Sequence, residues 1–214
     1  MPVIVTPASA RTLGDLKTRI ADELARADLA SQIALAITDA IAEAVTHRFW
    51  FMELTGVTLP LIAGTATYTS DDIKNFVEID RVRLVVGSQR YTLDPMSDDD
   101  RDRLNDGTAP QGQPYAYSRY GDTISFYPKP VANYTAEIDG TGGAAALASD
   151  SDSNIWTTTG ERYIRALAKR NVLADVIHND SAAQTQDALA TRYRMEFEAQ
   201  THHRVATGGM AYNG

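Results

Sequence analysis

The sequence predicts an α+β protein, mainly an α-helical bundle of about four helices with an inserted small antiparallel β-sheet domain. Three observations lead to this prediction. Apolar residues recur at helical spacing towards both ends, the period changes to two in the middle, and a Gly/Ala/Ser/Asp-rich stretch follows. The resulting domain plan is a discontinuous bundle (12–52 and 157–203), a β insert (53–140), a linker (141–156) and extended arms (1–11 and 204–214).

The first two helices are predicted from one-sided apolar stripes. Thr12 and Asp15 form a variant capping box for a helix that runs to about Ala27. The second helix spans residues 28–51 with Asp28 as its N-cap. Its stripe consists of apolar residues at steps of four: Leu29, Ile33, Ile37, Ile41, Val45 and Phe49. The short connection predicts a helical hairpin, and a stripe of this length requires cover from other helices.

The central segment alternates between apolar and polar residues, which indicates strands. Two short strands are expected around Ala63-Gly64, and a change of phase predicts a bulge or break near Asp80-Arg81. Turns at Gly87-Ser88 and Gly121-Asp122 predict two antiparallel hairpins, because each places apolar residues of both strands on one face. A further strand is expected around Tyr134–Ile138.

Two more helices are predicted after the linker. Thr158 and Glu161 match a capping box that opens the third helix, which ends at His178-Asn179. Asp180 or Ser181 caps the fourth. These two helices are the expected cover for the second one.

Charge and composition exclude several classes of protein. The formal net charge of −8 argues against binding nucleic acid by neutralising its phosphates, although DNA could slide past an acidic surface. The absence of cysteine excludes disulfides and thiolate metal sites. No apolar run has the length needed to span a membrane, and the N-terminus lacks the features of a signal peptide.

Several strings, taken in order, carry a resemblance to a known family. They are TLGDLKTRIADELAR, RFWF, GTATY, EIDRVRL, QGQPYAYSRYGDTISFYPKP and DSDSNIWTTTGERYIRALAKRNV. Together they resemble the head–tail adaptor (connector) proteins of tailed bacteriophages, in particular those similar to podovirus tail accessory factors. The resemblance extends from Thr12 to about Phe197.

This resemblance implies a structural virion protein at the head–tail junction, made in the host cytoplasm. It implies a homo-oligomeric, typically dodecameric ring that docks onto the portal and precedes a downstream tail or nozzle protein. DNA would pass through the lumen without sequence-specific binding, and neither an enzyme activity, a cofactor, a metal nor a membrane is implied. The segment from residue 204 is the implied portal-docking arm, with these candidate contacts: Arg204, Val205, Met210 and Tyr212.

One alternative is a calcium-stabilised binding module. Asp150, Asp152, Asn154 and Glu161 have the spacing of oxygen ligands in an EF-hand loop. Ile155 stands where that loop needs a glycine for its sharp turn, and Glu161 is already explained by the capping box.

The second alternative is a peptidoglycan-hydrolysing tail accessory enzyme, which would need two suitably placed carboxylates such as Glu43 and Glu53. No nucleophile-elbow, phosphate-loop or zinc-protease string occurs in the sequence.

Other polar and aromatic clusters are interpreted as solvated or packing surfaces. The acidic run 98–100 fits the start of a short helix. The tyrosines near residues 115–127 lack the interleaved basic residues of a nucleic-acid binder. The basic side of the third helix is expected to pair with acidic residues of a neighbouring copy: Arg162, Arg165, Lys169 and Arg170.

Overall fold

A computed structural model describes residues 11–69, 72–73, 76–105 and 110–206. The chain divides into two compact units. The helical unit comprises Met1–Met52 and Ala144–Gly214, and the β unit comprises Glu53–Gly143.

Within the described residues there are six α-helices: α1 (Leu13–Leu24), α2 (Ala30–Val45), α3 (Asp98–Leu104), α4 (Ile155–Thr158), α5 (Glu161–Asn171) and α6 (Asp180–Ala206). All except α3 belong to the helical unit. Two 3₁₀ turns, Ala27–Leu29 and Trp50–Met52, flank α2, and a π-helical segment, Val172–Val176, continues α5.

The helical unit is held together by one apolar core. The stripe of α2 is buried, with Ile33 and Ile37 at most 1% exposed. Helix α1 packs against α2 and α5, α5 packs against α2, and α6 packs against α5. The buried alanines of α2, such as Ala40 and Ala44, contribute little side-chain volume and so permit close approach of its neighbours.

The ends of the helices show which capping predictions hold. The box of Thr12 and Asp15 is confirmed, with both reciprocal hydrogen bonds present. The predicted cap at Asp28 is wrong, because its carboxylate receives two hydrogen bonds from Arg26 instead. The predicted continuous helix over 28–51 is also wrong, since α2 ends at Val45 and the chain then forms the 3₁₀ turn.

The predicted capping box at Thr158 is wrong as well. The side chain of Asn154 accepts hydrogen bonds from the N–H groups of Trp156 and Thr157, so the cap lies earlier and opens the separate short helix α4. Helix α5 then begins at Glu161. The carboxylate of Glu161 forms ion pairs with Arg11 and Arg165 instead of the capping hydrogen bond to a backbone N–H.

The described residues of the β unit form ten strands: β1 (Glu53–Leu61), β2 (Thr67–Thr69), β3 (Phe76–Val86), β4 (Gln89–Thr92), β5 (Asp94–Pro95), β6 (Gln111–Gly112), β7 (Ala116–Tyr120), β8 (Thr123–Tyr127), β9 (Lys129–Pro130) and β10 (Tyr134–Gly142). These described strands form two four-stranded sheets, ordered β1-β10-β3-β4 and β2-β8-β7-β5, and one two-stranded sheet of β6 and β9. Both larger sheets contribute to one core, exemplified by Leu84, Ile138, Ile124 and Phe126.

The two predicted hairpins are confirmed in register. Leu84 lies opposite Tyr91 across the first turn, and Tyr117 lies opposite Phe126 across the second. The predicted irregularity near Asp80 is also confirmed as a bulge in an otherwise continuous β3.

The predicted fold class is wrong in its proportions. The described residues hold six helices instead of about four, and the β region is not one small antiparallel sheet but ten strands in three sheets. Two of the pairings, β5 with β7 and β6 with β9, are parallel. The physical reason is that the apolar alternation continues over enough strands to bury a second core between two sheets, which a single hairpin sheet could not do.

Candidate interaction site

The last turns of α6 are attached to the 3₁₀ turn that follows α2. The N–H of Trp50 donates to Thr201 Oγ1 at 3.1 Å, and the Thr201 hydroxyl donates to the carbonyl of Phe197 at 2.8 Å. The guanidinium carbon of Arg204 lies 3.7 Å from the centroid of a Trp50 ring, a cation–π contact. These contacts hold the last described turns of α6 against the 3₁₀ turn.

An aromatic cluster beneath this junction explains why the local sequence folds this way. Phe49 packs edge-on against Trp156, Tyr163 and Phe197, with centroid distances of 5.5–6.1 Å. Burial, together with the charge of Glu43, raises the pKa of Tyr163 to about 12. Tyr163 is therefore neutral at physiological pH. Phe49 and the aromatic rings around it serve to pack the core.

The predicted docking residues fall in two groups. Helix α6 continues through Ala206, so Arg204 and Val205 lie in the helix. Met210 and Tyr212 lie outside the described residues. The run of three aromatics at residues 49–51 predicts that this part of the chain needs burial or a partner. Nothing in the sequence indicates that Thr201 is the partner of Trp50.

The basic side of α5 is paired within the chain. Glu161 is 4% exposed. Its carboxylate oxygens form ion pairs with Nη1 of Arg11 at 2.9 Å and with Nη1 of Arg165 at 3.3 Å. Lys169 donates to Glu23 on α1 at 2.8 Å. Burial alone would raise the pKa of Glu23, but the hydrogen bond from Lys169 and the nearby cations lower it overall.

The two remaining basic residues of α5 also have partners. Arg170 bonds to Glu43 on α2 and to Asp187 on α6, which joins three helices. The guanidinium of Arg162 lies 5.2 Å from the centroid of the Tyr193 ring. The four basic residues of α5 thus have partners within their own chain. The expected pairing with acidic residues of a neighbouring copy is not needed to explain them.

The candidate calcium ligands are each engaged within the chain. Asp150 pairs with Lys17 at 2.7 Å. Asp152 accepts the N–H groups of Ala148 and Ser149, and hydrogen bonds from Ser149 and Ala148 lower its pKa. With Asn154 serving as a helix cap and Glu161 paired with arginines, this set does not fit a calcium ion. In the part of the chain that the structure describes, no group of three acidic, histidine or cysteine residues could hold a metal.

The other polar candidates have local partners. Asp98 pairs with Arg101 at 2.7 Å and accepts the hydroxyl of Ser118. Glu43 pairs with Arg170, whereas Glu53 belongs to the other unit, on β1. The structure therefore gives no pair of converging carboxylates at Glu43 and Glu53 within one unit.

The tyrosines around the second hairpin divide by environment. Tyr117 and Tyr127 are each 8% exposed, and Tyr115 stacks edge-on with Tyr127 at 5.6 Å. Tyr120 is 75% exposed beside the turn. Two of the four are thus packing residues.

Comparison with known proteins assigns the family. The family model described as SU10 adaptor protein matches residues 11–211, which covers both units and nearly the whole chain. The chain belongs to the SU10 adaptor protein family. This membership confirms the resemblance to phage head–tail adaptors, and the protein is a structural phage adaptor and a virion component. No curated protein matches the chain.

None of the described helices has the combination of length and hydropathy that a membrane crossing requires.

Proposed function

We propose that the protein forms a homo-oligomeric, dodecameric ring at the head–tail junction of a tailed bacteriophage. The ring docks onto the portal, extends the DNA channel towards the tail and receives a downstream tail or nozzle protein. The observation that carries this proposal is the family match over residues 11–211, which spans both units.

The helical unit is suited to form the wall of such a ring. Its core is continuous through α1, α2, α5 and α6, and ion pairs that join different helices reinforce it, such as Lys169 with Glu23 and Arg170 with Glu43. A rigid unit of this kind loses little conformational entropy on assembly.

The junction of Trp50 with the end of α6 supports a role for the C-terminal segment in portal docking. Because Thr201 and Arg204 both contact Trp50, the end of α6 as far as the structure describes it is held in place. Arg204, Val205, Met210 and Tyr212 are the proposed contacts. A fixed starting point lowers the entropic cost of docking for a short segment.

The acidic net charge fits a channel that DNA passes without being gripped. With a formal net charge of −8 per copy, a ring would repel the phosphate backbone and bind no particular sequence.

The test is assembly with the portal of the same phage. Mass photometry and electron microscopy should show rings on the portal, and truncation after Ala206 should abolish docking without unfolding the helical unit. A protein that stays monomeric with the portal present would overturn the proposal. A monomer without the portal would be compatible with it, since docking can be the trigger for assembly.

A further inference from the structure

The helical unit carries an open groove that none of the contacts described above fills. Its volume is about 400 Å³. Leu13 and Lys17 of α1 form one side, and one face of α2 forms the floor, with the half-buried Ala34 and Ile41 beside the buried Ile37. The segment 144–148, which lies before α4, forms the other side. The groove is therefore lined mainly by apolar side chains.

The segment 144–148 offers main-chain groups to a ligand. It belongs to no helix or strand, and the carbonyl of Ala145 accepts a hydrogen bond from Asn154 Nδ2. Among the described residues, no hydrogen bond involves the N–H groups of Ala146 and Leu147. An apolar floor beside unpaired main-chain groups is the arrangement to which an extended apolar peptide adds as a strand.

The chain itself contains a peptide of this chemistry. Residues 2–7 read PVIVTP, with three consecutive apolar β-branched residues, Val3, Ile4 and Val5, between two prolines. Such residues favour extended backbone, and alternate side chains of a strand face the same way, so Val3 and Val5 could both enter an apolar groove.

The geometry of the start of α1 indicates which copy supplies the peptide. Arg11 and Arg19 both pair with Glu161, at 2.9 and 3.5 Å. Lys17, which lines the groove, lies two residues from Arg19 and hence about 200° around the helix axis. The side chain of Arg11 therefore lies on the side of α1 opposite the groove of its own copy. The ten residues before it can span about 33 Å when extended.

We propose that residues 2–7 of one copy bind in the groove between α1, α2 and the segment 144–148 of the neighbouring copy. This inference rests on the proposed ring and names a contact that links adjacent subunits. Burial of Val3 and Val5 supplies apolar contact, and the main chain of Ala146 and Leu147 supplies hydrogen bonds.

A disulfide cross-link tests the proposal, because the chain contains no cysteine of its own. Ile4→Cys combined with Ala146→Cys is assembled with the portal, oxidised mildly and run on a non-reducing gel, while mass photometry of the same sample records ring formation. Ala146 is exposed, so its substitution leaves the core intact. The matched control pairs Ile4→Cys with Ser181→Cys, at an exposed position on α6.

The expected result is a ladder of covalent oligomers for the first pair and monomers for the control. Rings without a ladder, or a cross-link confined within single chains, would overturn the arm exchange while leaving the ring intact. Failure of the wild-type protein to form rings on the portal would instead overturn the proposed function and this contact with it. As a second readout, Val3→Asp should weaken ring assembly about tenfold relative to Val3→Ile, because a carboxylate replaces a buried apolar side chain.

Discussion

Asp139 on β10 accepts a hydrogen bond of 2.6 Å from Nη2 of Arg81, which lies directly opposite it on β3. The other oxygen of the carboxylate accepts the N–H of Gly56 on β1 at 2.7 Å. One side chain thus ties together three adjacent strands at the point where the β3–β10 register shifts. Burial alone would raise the pKa of Asp139, but the Gly56 N–H and the neighbouring arginines lower it overall.

This relationship predicts a pH-dependent contribution to stability. Because the folded-state pKa lies below the unfolded value of about 3.9, the contribution is present above pH 4 and is lost as the pH falls through the folded value. Asp139→Asn should therefore lower the free energy of unfolding by about 2 kcal/mol at pH 7, with the deficit shrinking towards pH 3. Urea titrations at several pH values measure it, and a deficit independent of pH would contradict the role of the charge.

Gly140, the next residue, is predicted to tolerate no side chain. A Cβ built there would lie 2.1 Å from the carbonyl oxygen of Glu78, on the main chain of β3. Gly140→Ala should therefore destabilise the β unit by about 2–3 kcal/mol, because the two strands must separate. Gly143→Ala is the control, since its nearest neighbour would be Val77 Cγ2 at an ordinary 3.7 Å. Equal melting temperatures for the two variants would contradict this account.

Two apolar residues of α2 should differ sharply in their contribution to stability. Ile37 is 1% exposed in the core, whereas Leu35 is 66% exposed on the same helix. Ile37→Ala should cost about 2–5 kcal/mol through lost burial and a cavity, and Leu35→Ala less than about 0.5 kcal/mol. Chemical denaturation of both variants checks the difference. A large loss from Leu35→Ala in the isolated chain would be inconsistent with this packing.

The hydrogen bond between α6 and the main chain of Trp50 depends on a single hydroxyl, that of Thr201. Thr201→Val keeps the shape of the side chain but removes the acceptor for the Trp50 N–H. The expected loss is about 1 kcal/mol, with faster amide exchange in the last two turns of α6. Thr185→Val is the matched control, because its hydroxyl donates only to the carbonyl of Ser181 one turn earlier in the same helix. Exchange unchanged at residues 198–206 in Thr201→Val would show that the junction does not hold the helix end.

Calcium should leave the stability of the protein unchanged. The oxygens that match the EF-hand spacing already accept hydrogen bonds or pair with cations: Asp150 with Lys17, Asp152 with main-chain N–H groups, and Glu161 with arginines. A specific site saturated a hundredfold above its Kd would raise the free energy of unfolding by about 2.7 kcal/mol. Thermal melts in millimolar calcium and in chelator should coincide, and a reproducible upward shift with calcium would restore the metal hypothesis.

Local features that depend on residues close in sequence were predictable. The capping box of Thr12 and Asp15, both hairpin registers and the bulge at Asp80 follow from short-range hydrogen bonding and from the twofold period of a strand. The buried stripe of α2 also follows, because helical spacing alone places Ile33 and Ile37 on one face. The order of local strings was sufficient to identify the adaptor family.

Features for which several nearby partners compete, or which depend on distant partners, were not predictable. Asp28 and Thr158 are good capping residues by type. However, the carboxylate of Asp28 accepts hydrogen bonds from Arg26, and Asn154 caps the separate helix α4 upstream of Thr158. Likewise, the parallel pairings of β5 with β7 and of β6 with β9 join strands of two residues, too short to leave a period in the sequence.

By itself, then, the sequence determined where the chain has a helical or an alternating period, which turns reverse it and which family it belongs to, because these depend on neighbours a few residues apart. The tertiary structure decided that the β region forms two packed sheets and that the carboxylate of Glu161 pairs with arginines. It also decided that the hydroxyl of Thr201 accepts a hydrogen bond from the N–H of Trp50. Those contacts join residues from different parts of the chain. Several acceptable partners exist for each polar group, and only the packing of the two cores brings one of them within bonding distance.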